Sequence, residues 1–485
     1  MTGTLKKVDK KKPHTAIFDF FRDIGLDFIE GDIFVKLSAL VMGIGFFRRK
    51  QIIKGILITL FQAVIILFGF TFADHYLSRF GTLGTVERVS VFNPETMRNE
   101  VNNFDDSFQI LLYSIISIVV IIVAVAIYLQ NIRTVRALEV LDRSGEHIPT
   151  FWEDIMSARD KKFYLTLLSL PCIGIVLFTI IPLLVMITVA FTNYDQQHMP
   201  PANLFTWVGF DNFKTLFTND ITSSFGYAFG IVLTWTLIWA FAATFSNFFL
   251  GIALSSLINN QKTKLKKMWR TMFVVTIAVP QFVTLLVIRN FFSQIGIANR
   301  MAADWGITEF LSSIGLIPAH LDFIPFLTDP TWARVMIILI NVWIGVPFMM
   351  IIATGVLMNI PKDLYESARI DGASPFKQFV YITMPYMLFV TAPFLVTQVI
   401  HNINNFNVIF LLTQDVYRTT DQMLGNAGAR EIDLLVTWLY RLTQEQYDFK
   451  MASVIGIMVF LVCAVFTLIA FNLVIARNKE DKFQL

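Results

Sequence analysis

The chain has 485 residues, is 55% hydrophobic and only 15% charged, and carries a net charge of +3. Its mean hydropathy of +0.61 lies far from that of soluble domains, so an ordinary water-soluble enzyme is excluded. Cys172 and Cys463 both sit in apolar runs, which excludes a disulfide framework.

Residues 1–54 begin with the basic run Lys6–Lys12. No apolar stretch follows it directly and no small-residue cleavage site is present, so the pattern is not that of a cleaved signal peptide. The mixed run 15–47, closed by Arg48, Arg49 and Lys50, has two readings. One is an interfacial helix on the cytoplasmic leaflet; the other is a segment partly buried against the first span.

Eight runs are then long enough to cross a bilayer, which takes about 20 residues each. They are 55–73, 109–130, 163–192, 226–258, 272–293, 333–359, 386–412 and 450–476. The 226–258 run is long enough to require tilt or extension beyond the membrane. Of the 39 Lys and Arg residues, 28 lie in 1–54, 131–162, 259–271, 360–385 and 477–485. Positive charge favours the cytoplasmic side, so both termini are expected there. The outer loops 74–108, 193–225, 294–332 and 413–449 are too short for a substantial folded domain. The expected fold class is an all-α integral membrane protein with about eight transmembrane helices.

In the sixth span Asn341, Gly345 and Phe348 recur at i, i+4 and i+7, Gly345 leaves room for close approach, and Pro347 is expected to kink the helix. The polar stretch 361–385 reads as a helix-turn-helix. Pro361 suits a first helical position, Gly372 a left-handed end, and Ser374-Pro375 an N-cap followed by proline at N1. Phe376, Phe379 and Val380 are expected to share a face. A plain connection needs fewer residues, so this unit is expected to dock onto something soluble.

The seventh span holds Gln398, His401, Asn402, Asn404, Asn405 and Asn407 within ten residues. Polar groups at membrane depth are costly unless paired or facing a wet cavity. Helical spacing puts Gln398, His401, Asn402 and Asn405 on one side. Amides both donate and accept, which suits sugar hydroxyls, and Phe406 offers a ring; the competing reading is hydrogen bonding between helices. His401 as a proton relay is disfavoured, because no acidic residue shares its span.

No phosphate-binding GxxxxGK[ST] loop occurs, nor any Cys-x-x-Cys or GxSxG pattern, so no catalytic or metal site is expected. Any use of ATP has to come through a partner.

The 361–385 stretch resembles the cytoplasmic loop of ABC importer permeases: Glu-Ala-Ala, three residues, Gly, nine residues, Ile, one residue, Leu-Pro. Here it stands as Glu366-Ser367-Ala368, Gly372, Ile382 and Met384-Pro385. The longer YESARIDGAS resembles the sugar-importer branch. From about 163 onward the chain is similar to the maltose/maltodextrin type of permease. FTWVGFDNFKTLF (205–217), WRTMF (269–273), GIAN (296–299), LLT (411–413) and IDLLVTWLYRLT (432–443) carry that likeness.

The resemblance implies a type I ABC importer permease fold, with two accessory helices in 55–130 and a six-helix core in 163–476. It implies ATPase docking through Glu366, Ser367, Ala368, Asp371 and Gly372. It also implies sugar contacts at Asn341, Ile344, Gly345, Phe348, Gln398, His401, Asn402 and Asn405. Phe348 stands where the family usually has tyrosine, and Gln398 and His401 where it has serine and phenylalanine, which leaves the particular sugar open. The better-known relatives carry a large insert after the third span; here that loop is only 193–225.

Implied partners are a second homologous permease, two copies of a cytoplasmic ATPase that bind ATP and Mg, an extracellular sugar-binding protein and bacterial membrane lipid, with no nucleic acid. Alternatives are an ABC permease for another uncharged solute, or an ion-coupled transporter.

Overall fold

The computed structural model describes residues 13–94, 97–218, 224–260 and 263–480; the basic run Lys6–Lys12 lies outside them. Among the described residues seven helices are long and apolar enough to cross a membrane, or eight if one bent pair counts as a span. The chain divides into two compact units, Met1–Trp207 and Val208–Leu485.

The first unit contains α1 (Pro13–Glu30), α2 (Ile52–Leu77), a hairpin of β1 (Ser90–Asn93) with β2 (Arg98–Val101), α3 (Ser107–Ser144) and α4 (Phe163–Val189). Leu60, Leu67 and Phe70 on α2 and Leu170 and Phe178 on α4 are exposed. In water such surfaces would drive association; around a span they face lipid. Asp106 caps α3 by accepting the Phe108 and Gln109 N–H groups, and Gly145, at φ +70, ends it.

Residues 33–48 pack against the polar end of α3 rather than against the first span alone. Val35 and Phe46 are buried against Ile132, Val135 and Leu138. Gly45 makes the approach possible: a Cβ there would lie 2.2 Å from Val135 Cγ1. Glu139, 2% exposed, accepts the Asp32 N–H at 3.1 Å and pairs with Arg136 at 2.7 Å and with Arg143. Arg49 pairs with Asp32 at 3.0 Å. A buried carboxylate held this way pins the segment to α3.

The second unit contains α5 (Ser224–Asn259), α6 (Lys266–Ala278), α7 (Gln281–Phe291), α8 (Pro330–Leu357), α9 (Lys362–Ile370), α10 (Met384–Ile403), α11 (Phe406–Thr413), α12 (Leu435–Gln444) and α13 (Phe449–Glu480). The expected span 272–293 is not one straight helix: α6 and α7 meet at 91°. Val279 and Pro280 are extended at the break, because proline lacks an N–H and disfavours helix at the residue before it.

The helices α5 and α8 run side by side in parallel. Arg334 lies 4.9 Å over the Trp235 ring, Asn247 meets Gly345, Gly251 meets Met349, and the Ser255 and Thr354 hydroxyls are 2.8 Å apart. The sequence offset stays constant to one residue over these contacts, which fixes which residues share a level. Beyond α11 the 413–449 stretch is folded. The Glu431 carboxylate accepts from the Tyr417 hydroxyl at 2.9 Å and from the Thr420 and Asp421 N–H groups at 3.0 and 3.1 Å. Buried Asp433 accepts from the Arg430 N–H and the Thr437 hydroxyl.

Candidate functional site

The 361–385 stretch forms a braced hairpin. Pro361 is the N-cap of α9 rather than its first helical residue. Gly372 takes φ +75, Ser374 accepts the Lys377 N–H, and Pro375 stands at N1, as the turn chemistry requires. The Tyr365 and Thr383 hydroxyls lie 2.8 Å apart across the two arms, and Gln378 Nε2 donates to the Ala373 carbonyl at 3.0 Å. Phe376, Phe379 and Val380 do not form one buried face. A wider π-helical turn, Phe379–Thr383, shifts the register, so Phe379 packs toward Phe248, Met349 and Met387 while Phe376 stays exposed.

Glu366, Ser367, Asp371 and Gly372 are exposed and Ala368 half-buried. Around them Leu364, Ile370 (86% exposed), Phe376 and Tyr381 offer apolar side chains to the surroundings. The hairpin therefore presents a stiff, partly apolar surface at the junction of α8 and α10.

Between those two helices the eight expected sugar residues fall into two groups. Phe348 and Phe394 approach ring to ring at 6.5 Å. The helices run antiparallel from the hairpin, so Gln398 is level with Ile344, and His401 with Asn341. Phe348 is 48% exposed and His401 exposed, with Ile344, Phe394 and Gln398 half-buried. This strip is open. Phe394 was missed by sequence reasoning, because a phenylalanine in an apolar span carries no signal until its neighbour is known.

The other group faces inward. Asn402 Nδ2 donates to Thr244 Oγ1 at 2.9 Å, and the Asn402 carbonyl accepts from Trp239 Nε1 at 3.0 Å. The four-residue pattern Gln398, His401, Asn402, Asn405 does not run along one continuous helix. The helix stops at Ile403, and Asn405 is the N-cap of α11, accepting the Val408 N–H at 3.3 Å. Three asparagines in four positions compete with the helix for backbone hydrogen bonds, which is why it breaks there. Phe406 stacks on Phe410 and meets the Tyr440 ring edge-on, so it belongs to an aromatic cluster. Asn341 is buried, and Gly345 gives its open side to Asn247.

Two apolar grooves flank the exposed Trp343. One, of 510 Å³, lies between α7 and α8; the other, of 400 Å³, lies among α5, α6 and α8. Of the eight expected sugar residues, none lines either groove. Among the described residues no group of His, Cys, Asp or Glu is placed to hold a metal.

Residues 247–479, which hold the hairpin and both flanking helices, match the family described as "Binding-protein-dependent transport system inner membrane component". Over 429 residues the chain is 34% identical to the galactooligosaccharides transport system permease protein GanP of Bacillus subtilis strain 168. That match covers 87% of this chain and 93% of the relative. The chain belongs to this permease family. The permease is also 31% identical to the maltodextrin transport system permease protein MalC of Streptococcus pneumoniae serotype 4, over 92% of this chain and 96% of that one. A crystal structure of a bacterial ABC transporter involved in import of the acidic polysaccharide alginate aligns with a TM-score of 0.50. Its identity is 27%, over 67% of this chain and 97% of that one. The permease is thus a multi-pass membrane transport subunit with the type I ABC importer permease fold.

Proposed function

We propose that the permease moves a maltodextrin-like oligosaccharide into the bacterial cytoplasm. It does so beside a second homologous permease, driven by two copies of an ATPase that hold ATP and Mg. An extracellular sugar-binding protein delivers the substrate. Both termini and the 361–385 hairpin lie in the cytoplasm, in keeping with the positive-inside rule.

The observation that carries this reading is the continuity of the braced hairpin with α8 and α10. The arms are tied by Tyr365–Thr383 and the turn is held by Gln378–Ala373, so a push on Glu366, Asp371 or Ile370 moves both helices together. Those helices bear the open strip of Phe348, Phe394, Ile344, Gln398 and His401. Rings stack on the apolar faces of sugars, while the amide and imidazole meet hydroxyls. ATP-driven closure of the ATPases would bias two states of the pair, one open to each side.

The test is reconstitution of the permease with its second permease, ATPase and binding protein, followed by uptake of labelled oligosaccharides. ATP-dependent uptake of maltotriose or a longer maltodextrin supports the reading; uptake of no oligosaccharide sinks it. The likeness to GanP favours one second reading, a galactooligosaccharide substrate, which the same screen separates.

A further inference from the structure

Asn247 lies on α5, outside every position that spacing or family likeness singled out. Its side chain fills the notch left by Gly345: a Cβ on Gly345 would lie 2.2 Å from Asn247 Nδ2 and 2.7 Å from its Cγ. The Asn247 Oδ1 atom is buried and has no hydrogen-bond partner among the described residues. One turn away on α8, Asn341 is 6% exposed, and its buried Nδ2 also has no partner among them. Ser246 Oγ, next to Asn247 in the chain, is a third such atom.

Leaving a buried polar group unpaired is costly, and an apolar residue of the same shape removes that cost. Two orphans on facing helices are therefore poor packing material. Their types are complementary: an acceptor on α5 and a donor on α8. A hydroxyl both donates and accepts, so a single hydroxyl has the chemistry to meet both. Turning the Asn247 amide over exchanges acceptor for donor and leaves a group that a hydroxyl still satisfies. The pair adjoins the open strip, since Asn341 is level with His401, and Thr244, one turn before Asn247, bonds Asn402.

We infer that Asn247 is a specificity-determining residue: with Asn341 it holds one hydroxyl of the transported sugar. This rests on the reading of the α8–α10 strip as the sugar site. It extends that site to a third helix and makes one hydroxyl a requirement for transport rather than a bystander.

The test uses the complete transporter in proteoliposomes, with labelled maltotriose, galactotriose and their monodeoxy analogues. Asn247→Leu keeps the branched outline with somewhat more bulk and removes the polar atoms. For each variant the readout is the ratio of kcat/KM for the parent sugar to that for each analogue. Wild type is expected to reject one analogue by roughly tenfold or more, the penalty of an unpaired buried partner. Asn247→Leu is expected to bring that one ratio close to one, and Asn341→Leu to do the same at the same hydroxyl. Asn247→Ala, which also removes the amide, is read in the same way where the leucine variant does not assemble.

A purely structural role would lower uptake of parent and analogue alike and leave every ratio at its wild-type value, which overturns the inference. Phe348→Ala and His401→Ala serve as controls. If they alter sugar preference while the Asn247 variants do not, only the Asn247 assignment fails. If they too leave every sugar unchanged, the sugar-site reading fails and takes this inference with it.

Discussion

Two glycines on α5 are predicted to respond in opposite ways to the same change. A Cβ on Gly251 would lie 2.6 Å from both Cβ and Cγ of Met349 and 3.1 Å from its backbone carbonyl carbon. Met349 Cβ is fixed by the backbone of α8, so no rotamer relieves the clash and the two helices have to part. Overpacking of this kind costs typically 1–3 kcal/mol. Gly→Ala returns about 1 kcal/mol of helix propensity, which leaves Gly251→Ala neutral to about 2 kcal/mol less stable. A Cβ on Gly230, on the same helix, would meet nothing within 4 Å, so Gly230→Ala keeps the propensity gain alone. The two variants should differ by about 1–3 kcal/mol, Gly230→Ala being the more stable. Unfolding of the detergent-solubilised permease by sodium dodecyl sulfate, followed by circular dichroism, measures the difference. Because Gly251 is one turn from Asn247, parting the helices should also weaken sugar uptake. Equal stability of the two variants, or a more stable Gly251→Ala, would refute the close α5–α8 approach.

Removal of the Glu139 carboxylate leaves the Asp32 N–H unpaired and Arg136 without its nearest partner, while exposed Arg143 turns to solvent, so Glu139→Ala should cost about 1–3 kcal/mol. Limited proteolysis should then cut within residues 31–50, whereas the wild-type segment resists. Burial alone would raise the Asp105 carboxyl, but the Thr85 and Val86 N–H groups and the Arg79 guanidinium outweigh it and hold it below the usual carboxylate range. A lowered folded-state pKa gives stability that is present above the unfolded value and fades as pH falls through the folded one. Melting of wild type should therefore drop on acidification in that window, and Asp105→Asn should flatten the drop. A wild-type curve with the same slope as the variant would remove Asp105 from the account.

The fold was largely legible because its signals are local and strong. Seven of the eight expected runs are helices long enough to cross a membrane, and the turn chemistry of Gly372, Ser374 and Pro375 stands where the residue types demanded it. The exceptions have local causes that periodicity does not register. Pro280 breaks a run that composition reads as continuous, and Asn404–Asn405 end a helix that spacing carries on. The proposed site was legible as a cluster of residues in sequence but not in the orientation of their side chains. Spacing grouped Asn402 and Asn405 with Gln398 and His401, yet the first two are tied inward, to Thr244 and to α11. Phe394 and Asn247 could not be found from sequence, because what distinguishes them is contact with Phe348 and Gly345 on another helix.

In the proposed function, energy enters this permease through the 361–385 hairpin. Glu366→Lys reverses the charge of an exposed residue there and leaves the Tyr365–Thr383 brace untouched. The direct measurement is uptake of labelled maltotriose by proteoliposomes holding the second permease, ATPase and binding protein, with and without ATP. Wild type should take up sugar only with ATP, and Glu366→Lys should lose at least about tenfold of that uptake while remaining in the membrane, which corresponds to about 1.4 kcal/mol of coupling. Full uptake by Glu366→Lys, or wild-type uptake without ATP, would contradict the account.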